Sequence, residues 1–417
     1  MPIKPSKKQS AFDKRLKRRI SGRTHDFFAV CPPGLESICK QELTELAEAK
    51  LPGSAPDSNP EIKEITLLSG GVGFQTRLHP ACLVNMFLGT PTKILMRIAS
   101  FKAERFSALE KQIKAIDWEL YLPKHHDLDI QVTCRKSRLY HSDAVAERCY
   151  PIIKSRIENF HREHPQPGDD SPETYPGKQT LMIRADQDRF ELSLNMSGDL
   201  LFKRGIKQKV IQAPLRENLA FAILRALEFS GEDTLVDPMC GSGTFSMEGA
   251  MMQSNVPPGF FRSFAFESWP GFQEKRFAHS KKQIQDKFSP KRVNKIFASD
   301  LDTKAVAGLG ETCLDHEFLN QVQTQCQDFF TIRPPEVEPG KGVIILNPPY
   351  GKRLGQDINI HDFFKGLGNK LSRDFSGWRV AVIYPDKQVG AAMNLHLKPM
   401  PFFHGGLDLF AGIGTLP

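Results

Sequence analysis

The chain has 417 residues, of which 40% are hydrophobic and 25% are charged. Such a composition is typical of a globular protein with roughly two or three domains. No run of about 18 apolar residues is present and the N-terminus lacks the apolar region of a secretory signal, so we expect a cytoplasmic protein with no membrane-spanning segment. The eight cysteines form no C-x-x-C pair and have no histidine at ligand spacing, which argues against a zinc site or a disulfide framework.

Basic residues are concentrated before residue 24, where nine lysines and arginines stand against one acid, Asp13. This excess equals the formal net charge of the whole chain, +8, from 56 basic and 48 acidic residues. We expect residues 1–24 to form a disordered basic arm that adds salt-sensitive affinity for the phosphates of a nucleic acid. A solvated tail or a transit peptide is the alternative.

Residues 25–105 have strand-like and helix-like patterns in an order similar to βαββαβ, which predicts a small ferredoxin-like α+β domain. We predict strands at 27–30, 62–68 and 93–98 and helices at 34–47 and 79–88. A glycine-interrupted segment lies at 70–73.

Residues 106–205 predict a second α+β module. Its elements are a helix ending near 117–118, a strand at 128–134, a helix at 142–160 and strands at 181–185 and 189–195. The polar segment 163–178 predicts a surface loop. Arg135 and Lys136 follow the first strand of this module and are candidate contacts to RNA.

The composition changes near Leu215, where a helix, a strand, a glycine loop and a second helix follow one another. The strand 234–236 leads to Asp237 and Pro238, and Gly241-Ser242-Gly243-Thr244 then turns tightly into the helix. Glycines at this turn let the backbone approach a ligand closely, which fits a nucleotide-like cofactor. Ser246 stands where a dinucleotide fold has its third glycine, and no Walker lysine follows.

Two further acids follow predicted strands. Asp300 ends the strand 295–299, where a carboxylate can accept two hydrogen bonds from a ribose diol. Asp328 follows the strand 321–326, where it can meet the edge of an adenine. Either acid alone also fits a helix cap, so the prediction depends on their order along the chain.

A continuous apolar run, Val343–Leu346, predicts a parallel strand covered on both faces, and Asn347, Pro348 and Pro349 must end it. The prolines cannot donate an N–H, so the surrounding carbonyls and the Asn347 amide oxygen are acceptors suited to a planar amino group. Tyr350 can stack on the flat face of such a group. An ordinary capped turn with a core tyrosine is the alternative.

The motifs DPMCGSGTFSMEGA, ASDLD and LNPPYGKRLG, preceded by LFKRGIKQKVIQAPLRENLA, resemble those of one enzyme family. It comprises the THUMP-domain class I S-adenosylmethionine-dependent methyltransferases that modify the 2-amino group of guanine in RNA. The stretch from FFAVCPPGLESICKQEL onwards resembles the modules with which that family holds RNA. The resemblance implies an α/β, Rossmann-like seven-stranded sheet in residues 206–417, preceded by a ferredoxin-like domain (25–105) and a THUMP domain (106–205).

The resemblance also implies a role for each matching residue. The cofactor, S-adenosylmethionine, would be bound by Asp237, Pro238, Gly241, Ser242, Gly243, Thr244, Asp300 and Asp328. In that set Asp300 would hold the ribose and Asp328 the adenine amino group. The target base would be held by Asn347, Pro348, Pro349 and Tyr350, and RNA phosphate by Lys352 and Arg353. The expected substrate is 23S ribosomal RNA, with transfer RNA as the alternative, and the reaction requires no metal.

Three rival interpretations have specific counter-signals. A DNA adenine or protein glutamine methyltransferase would share the N-P-P-Y stretch, but the RNA-type front half argues against both. A non-catalytic RNA-binding or ribosome-assembly factor would not need the full series of acids and glycines. A dinucleotide oxidoreductase lacks its third glycine. The C-terminal stretch GGLDLFAGIGTLP looks like a second glycine loop, yet no room for a helix follows Gly414, so we expect the last strand of a hairpin.

Overall fold

The computed structural model describes residues 7–49, 51, 62–164, 178–206, 215–289, 295–349 and 359–417. The front half contains α1 (Lys7–Leu16), β1 (Thr24–Val30), α2 (Glu36–Glu48), β2 (Lys63–Leu68), β3 (Gly71–Arg77), α3 (Leu78–Phe87), β4 (Lys93–Lys102), α4 (Phe106–Ala115), β5 (Leu128–Arg135), α5 (Ser142–Glu163), β6 (Gln179–Asp186) and β7 (Arg189–Asn195). The second half contains α6 (Glu217–Ala226), β8 (Thr234–Asp237), α7 (Thr244–Gln253), α8 (Glu274–Gln285), β9 (Ile296–Asp300), α9 (Thr303–Leu314), β10 (Val322–Cys326), β11 (Gly342–Leu346), α10 (Ile360–Asp374), β12 (Arg379–Tyr384), α11 (Lys387–Ala392), β13 (Lys398–His404) and β14 (Leu407–Thr415).

The front half is built on one sheet of seven strands in the order β2-β3-β1-β4-β7-β6-β5. The predicted βαββαβ order is confirmed, and the segment predicted to be interrupted by glycines is part of β3. Gly71 is required there because a Cβ atom would lie 2.0 Å from the Ala29 carbonyl oxygen. Strand β4 pairs antiparallel with β7, so the two predicted modules share a single sheet.

The expectation of a disordered arm is wrong for residues 7–21. They form α1 and one π-helical turn, Lys17–Ser21, in which Ile20 is buried. Phe12, Leu16 and Ile20 recur every four residues, so one face of this charged segment packs against the core. An Arg15 guanidinium nitrogen lies 2.8 Å from Asp117 and 2.9 Å from Glu119, which fixes the segment in place.

The second half contains a sheet in the order β10-β9-β8-β11-β12-β14-β13. The first five strands in this order run parallel, and β14 pairs antiparallel with both β12 and β13. The predicted C-terminal hairpin is therefore confirmed. Residues Val343–Leu346 are completely buried, as expected of a strand covered on both faces. In the described ranges, no helix is both long and apolar enough to cross a membrane.

Candidate active site

The carboxyl ends of adjacent parallel strands bring the predicted polar residues to one edge of the second sheet. Strand β8 ends at Asp237, β9 ends at Asp300, and Asn347 follows β11. The chain leaves β8 toward β9 on one side, whereas β11 pairs with β8 on the other side. Such a point, where strand order reverses, is where open α/β sheets bind ligands.

The glycine loop uses its two glycines differently. Gly241 and Gly243 have φ angles of 52° and 79°, both in the left-handed region that favours glycine. A Cβ atom on Gly243 would lie 2.3 Å from Leu309 Cδ1 of α9, because the loop packs tightly against that helix. A Cβ atom on Gly241 would have no described atom within 4 Å. The loop is thus packed at Gly243 and open to a ligand at Gly241.

Asp237 is fully buried beside this loop. Its Oδ2 accepts a 2.8 Å hydrogen bond from the Ser246 hydroxyl, in the first turn of α7. Its Oδ1 is buried without a hydrogen-bond partner among the described residues. Burial raises the pKa of Asp237 to about 7. A cationic ligand group placed at Oδ1 would satisfy the orphaned oxygen and favour the ionised carboxylate.

Asp300 connects the second strand end to the loop. Its Oδ2 accepts a 2.8 Å hydrogen bond from the Gly241 amide, and its Oδ1 accepts a 3.0 Å bond from the Asp302 amide. Asp302 itself caps α9 by accepting from the Lys304 amide at 2.9 Å. Asp300 therefore shapes the glycine loop in addition to any ligand contact that it makes.

The third acid, Asp328, caps a short 3₁₀ turn, Phe329–Thr331. Its Oδ1 accepts a 3.0 Å hydrogen bond from the Phe330 amide, which leaves further lone pairs of the carboxylate for the predicted adenine contact. Two apolar residues that the sequence interpretation overlooked lie next to these acids. Leu301 is 70% exposed and Phe330 is 41% exposed, and such surfaces can cover an aromatic base. The signal was available, since each acid is followed within two residues by a large apolar side chain.

Asn347 has its amide oxygen Oδ1 buried with no hydrogen-bond partner among the described residues. Pro348 beside it is buried and Pro349 is half-buried. A buried acceptor left without a donor is unfavourable by about 1–3 kcal/mol, so a ligand N–H at this position would be stabilising. Tyr350, Lys352 and Arg353 lie outside the described residues.

The remaining predicted site residues are placed as follows. Pro238 and Thr244 are buried at the two ends of the loop, and the Ser242 and Thr244 hydroxyls lie 3.5 Å apart. Arg135 and Lys136 are exposed at the end of β5, in the front half. Among the described residues, no group of three or more His, Cys, Asp or Glu side chains is arranged to hold a metal ion.

Comparison with known proteins gives four concordant matches, the first two of which are relatives in sequence. The putative RNA methyltransferase slr0064 of Synechocystis sp. is 31% identical over 393 residues, which are 93% of this chain and 96% of that protein. The ribosomal RNA large subunit methyltransferase K/L of Syntrophotalea carbinolica is 27% identical over 92% of this chain, but over only 52% of its own length. The chain thus spans about half of that relative.

A solved structure matches over nearly the whole chain as well. It is SMU.472, a putative methyltransferase complexed with SAH, and it superposes with a TM-score of 0.79 at 23% identity, covering 95% of this chain and 99% of that one. The family model that matches, over residues 204–404, is described as an RMKL-like methyltransferase domain. With the sheet order, the strand-end acids and these matches together, the chain belongs to the RMKL-like methyltransferase family, whose fold is the α/β class I fold and whose methyl donor is S-adenosylmethionine.

Proposed function

We propose that the protein transfers a methyl group from S-adenosylmethionine to the 2-amino group of a guanine in RNA, with 23S ribosomal RNA as the substrate. The observation that carries the proposal is the buried, unpartnered Asn347 Oδ1, which follows the strand paired with the one that ends at Asp237. The acceptor for an amino group and the acid of the cofactor loop therefore stand at adjacent strand ends.

The residues present fit this cofactor. The orphaned Asp237 Oδ1 suits the ammonium of its methionine part, and the open space at Gly241 admits a ligand against the backbone. Asp300 would bind the ribose hydroxyls, and Asp328 would accept from the adenine amino group. The bound cofactor supplies a sulfonium methyl group that is electrophilic without help from a metal.

At the acceptor side, the amide oxygen of Asn347 and the carbonyl of Pro348 accept the two hydrogens of the guanine amino group. These bonds would turn the nitrogen lone pair out of ring conjugation and toward the methyl group. The nitrogen would take the methyl group as the bond from that group to the sulfonium sulfur breaks, and it would then release one proton to solvent. Tyr350 stacks on the base. Catalysis of this kind is mostly positioning, for which effective molarities of about 10⁵ M and above are attainable.

The front half would hold the RNA, with residues 25–105 as the ferredoxin-like unit and 106–205 as the THUMP unit. Exposed cations suited to phosphates occur on the N-terminal segment and at the end of β5, and they include Lys14, Lys17, Arg18, Arg23, Arg135 and Lys136. Lys352 and Arg353 would add contacts beside the target base. Extruding a paired base is unfavourable by a few kcal/mol, which these phosphate contacts would offset. A cytoplasmic location accords with such a substrate.

Transfer of labelled methyl groups to purified ribosomal and transfer RNA, followed by mass spectrometry of the nucleosides, tests the proposal. We expect N2-methylguanosine, and we expect Asn347→Ala to lower turnover by about 10²-fold with little change in cofactor affinity. Asn159→Ala, an exposed asparagine on α5, is the matched control and should behave as wild type. RNA binding without any methyl transfer would instead support an assembly factor, and a methylated adenine would contradict the guanine assignment.

A further inference from the structure

A buried ion pair connects the front half to the helix that begins at the glycine loop. Arg204 donates from Nε to Glu248 Oε1 at 2.8 Å and from Nη2 to Glu248 Oε2 at 3.1 Å. The two side chains are only 3% and 2% exposed. Glu248 lies on α7, whose first turn carries Ser246, the hydrogen-bond partner of Asp237. The pair thus holds the same helix that supports the cofactor loop.

The other hydrogen bonds of Arg204 lead into the front half. Its Nη2 also donates to the Gly89 carbonyl at 3.0 Å, and its Nη1 donates to the Leu201 carbonyl at 3.1 Å. The Gly89 and Thr90 amides in turn donate to the two carboxylate oxygens of Glu42 on α2, at 3.0 and 3.1 Å. A continuous buried polar network therefore runs from α2, through the turn at Gly89 and Thr90, to α7.

The same turn contacts the second half from another side. The Thr90 carbonyl accepts a 3.1 Å hydrogen bond from the side-chain Nδ2 of Asn218 on α6. A Cβ atom on Gly89 would lie 2.5 Å from the Phe221 ring, so α6 packs directly on the backbone here. Such close packing and hydrogen bonding fix the distance between the two halves at this turn.

Stability alone is a poor explanation for the charges. Burying an ion pair carries a large desolvation penalty, and apolar side chains of similar volume are often as stabilising. The pair adds a fixed orientation, because two parallel hydrogen bonds between a guanidinium and a carboxylate hold the two groups in one relative geometry. An apolar contact at the same place is not directional, so it would allow the two halves to rotate slightly relative to each other.

We propose that Arg204 and Glu248 are positioning residues that set the RNA-holding front half in register with the cofactor loop. The inference rests on the proposed function, since the register matters for bringing a target base to Asn347. An error of about 1 Å in such placement can lower a rate by about 10²-fold.

The double variant Arg204→Met/Glu248→Met removes both charges without leaving either one buried alone. We expect its cofactor and RNA affinities to remain within about threefold of wild type, while turnover at saturating RNA falls by about tenfold or more. Arg204→Lys keeps the charge but not the parallel bonds, and it should retain an intermediate turnover. The control pair, Arg379→Met/Asp233→Asn, breaks an ion pair within the second half and should turn over normally.

Hydrogen exchange provides a readout that does not require any methyl transfer. Amides of Gly89, Thr90 and α7 should exchange faster in the double variant than in wild type, and the control pair should leave them unchanged. Wild-type turnover together with unchanged exchange in the double variant would overturn the proposal. If wild type methylates no RNA but the exchange changes as expected, the proposed function fails while the connection between the halves stands.

Discussion

Two stretches of this chain share four of eight residues at matching positions but differ in structure. Residues 237–244, DPMCGSGT, and residues 408–415, DLFAGIGT, each place an acid four residues before a Gly-x-Gly-Thr segment. In the first, the two glycines have positive φ angles and turn the chain into α7. In the second, every residue lies in β14, with strands on both sides. The conformation of a glycine motif therefore depends on its surroundings, since a helix follows the first stretch and strands pair with both edges of the second.

Glycine is needed in the two stretches for different reasons. At Gly243 the residue permits a left-handed turn, whereas at Gly412 it leaves room for neighbouring side chains. A Cβ atom on Gly412 would lie 2.8 Å from the Tyr384 ring, and one on Gly414 would lie 3.0 Å from Leu397 Cδ2. This packing explains why such a glycine-rich sequence forms a strand.

Gly243→Ala should have the largest effect. The new methyl group would meet Leu309 and the left-handed backbone would be strained, so we expect a loss of roughly 2–4 kcal/mol in unfolding free energy and at least about tenfold in cofactor affinity. Denaturant unfolding and calorimetric titration measure the two. Adding Leu309→Ala should relieve the clash but not the strain, and full recovery in that double variant would contradict the role given to the φ angle.

Gly412→Ala should lower the unfolding free energy by about 1–3 kcal/mol, because its methyl group would overlap the Tyr384 ring. Cofactor affinity at a temperature where the variant is folded should equal that of wild type. A selective loss of cofactor binding would show that the second stretch contributes to the site after all.

Substitution of Asp237 and of Asp408 should affect the pH dependence of cofactor affinity differently. Because burial raises the pKa of Asp237 to about 7, its carboxyl group is neutral below that pH and attracts the cationic cofactor less. Cofactor affinity should therefore rise from pH 6 to pH 8, by at most about tenfold per pH unit. Asp237→Asn should flatten this profile in titrations across the range. The exposed Asp408, changed to Asn, should leave the profile as it is.

Gly241→Ala should have the smallest effect on stability. The side chain would project into open space, so only the left-handed φ angle is unfavourable, by about 1 kcal/mol. Denaturant unfolding of this variant beside Gly243→Ala separates backbone strain from packing. Equal losses of unfolding free energy in the two variants would contradict the distinction between an open position at Gly241 and a packed one at Gly243.

Much of this structure could be predicted because the signals are local. The apolar run Val343–Leu346 predicted a covered strand, and the acids Asp237 and Asp300 followed their strands as expected. The C-terminal hairpin was predicted from the sequence and is formed by β13 and β14. Chain order along a parallel sheet then brings these residues to one edge without any further information.

The rest depends on contacts between distant segments. Arg204 and Glu248 look like ordinary charged residues in the sequence, since only the packed structure shows that both are buried. The N-terminal segment was expected to be a disordered basic arm because its charge obscured the spacing of its apolar residues, and the carboxylates that hold Arg15 lie about a hundred residues away. The pairing of β4 with β7 is equally non-local.

The most direct test of the central claim is a calorimetric titration of S-adenosylhomocysteine into the wild type and two matched variants. The wild type should bind it, Asp300→Ala should weaken binding by at least about tenfold, and Asp408→Ala should bind as wild type does. Binding that is lost with Asp408→Ala but kept with Asp300→Ala would place the cofactor at residues 408–415 and contradict the site described above. Binding of NAD with none of S-adenosylhomocysteine would contradict the account altogether.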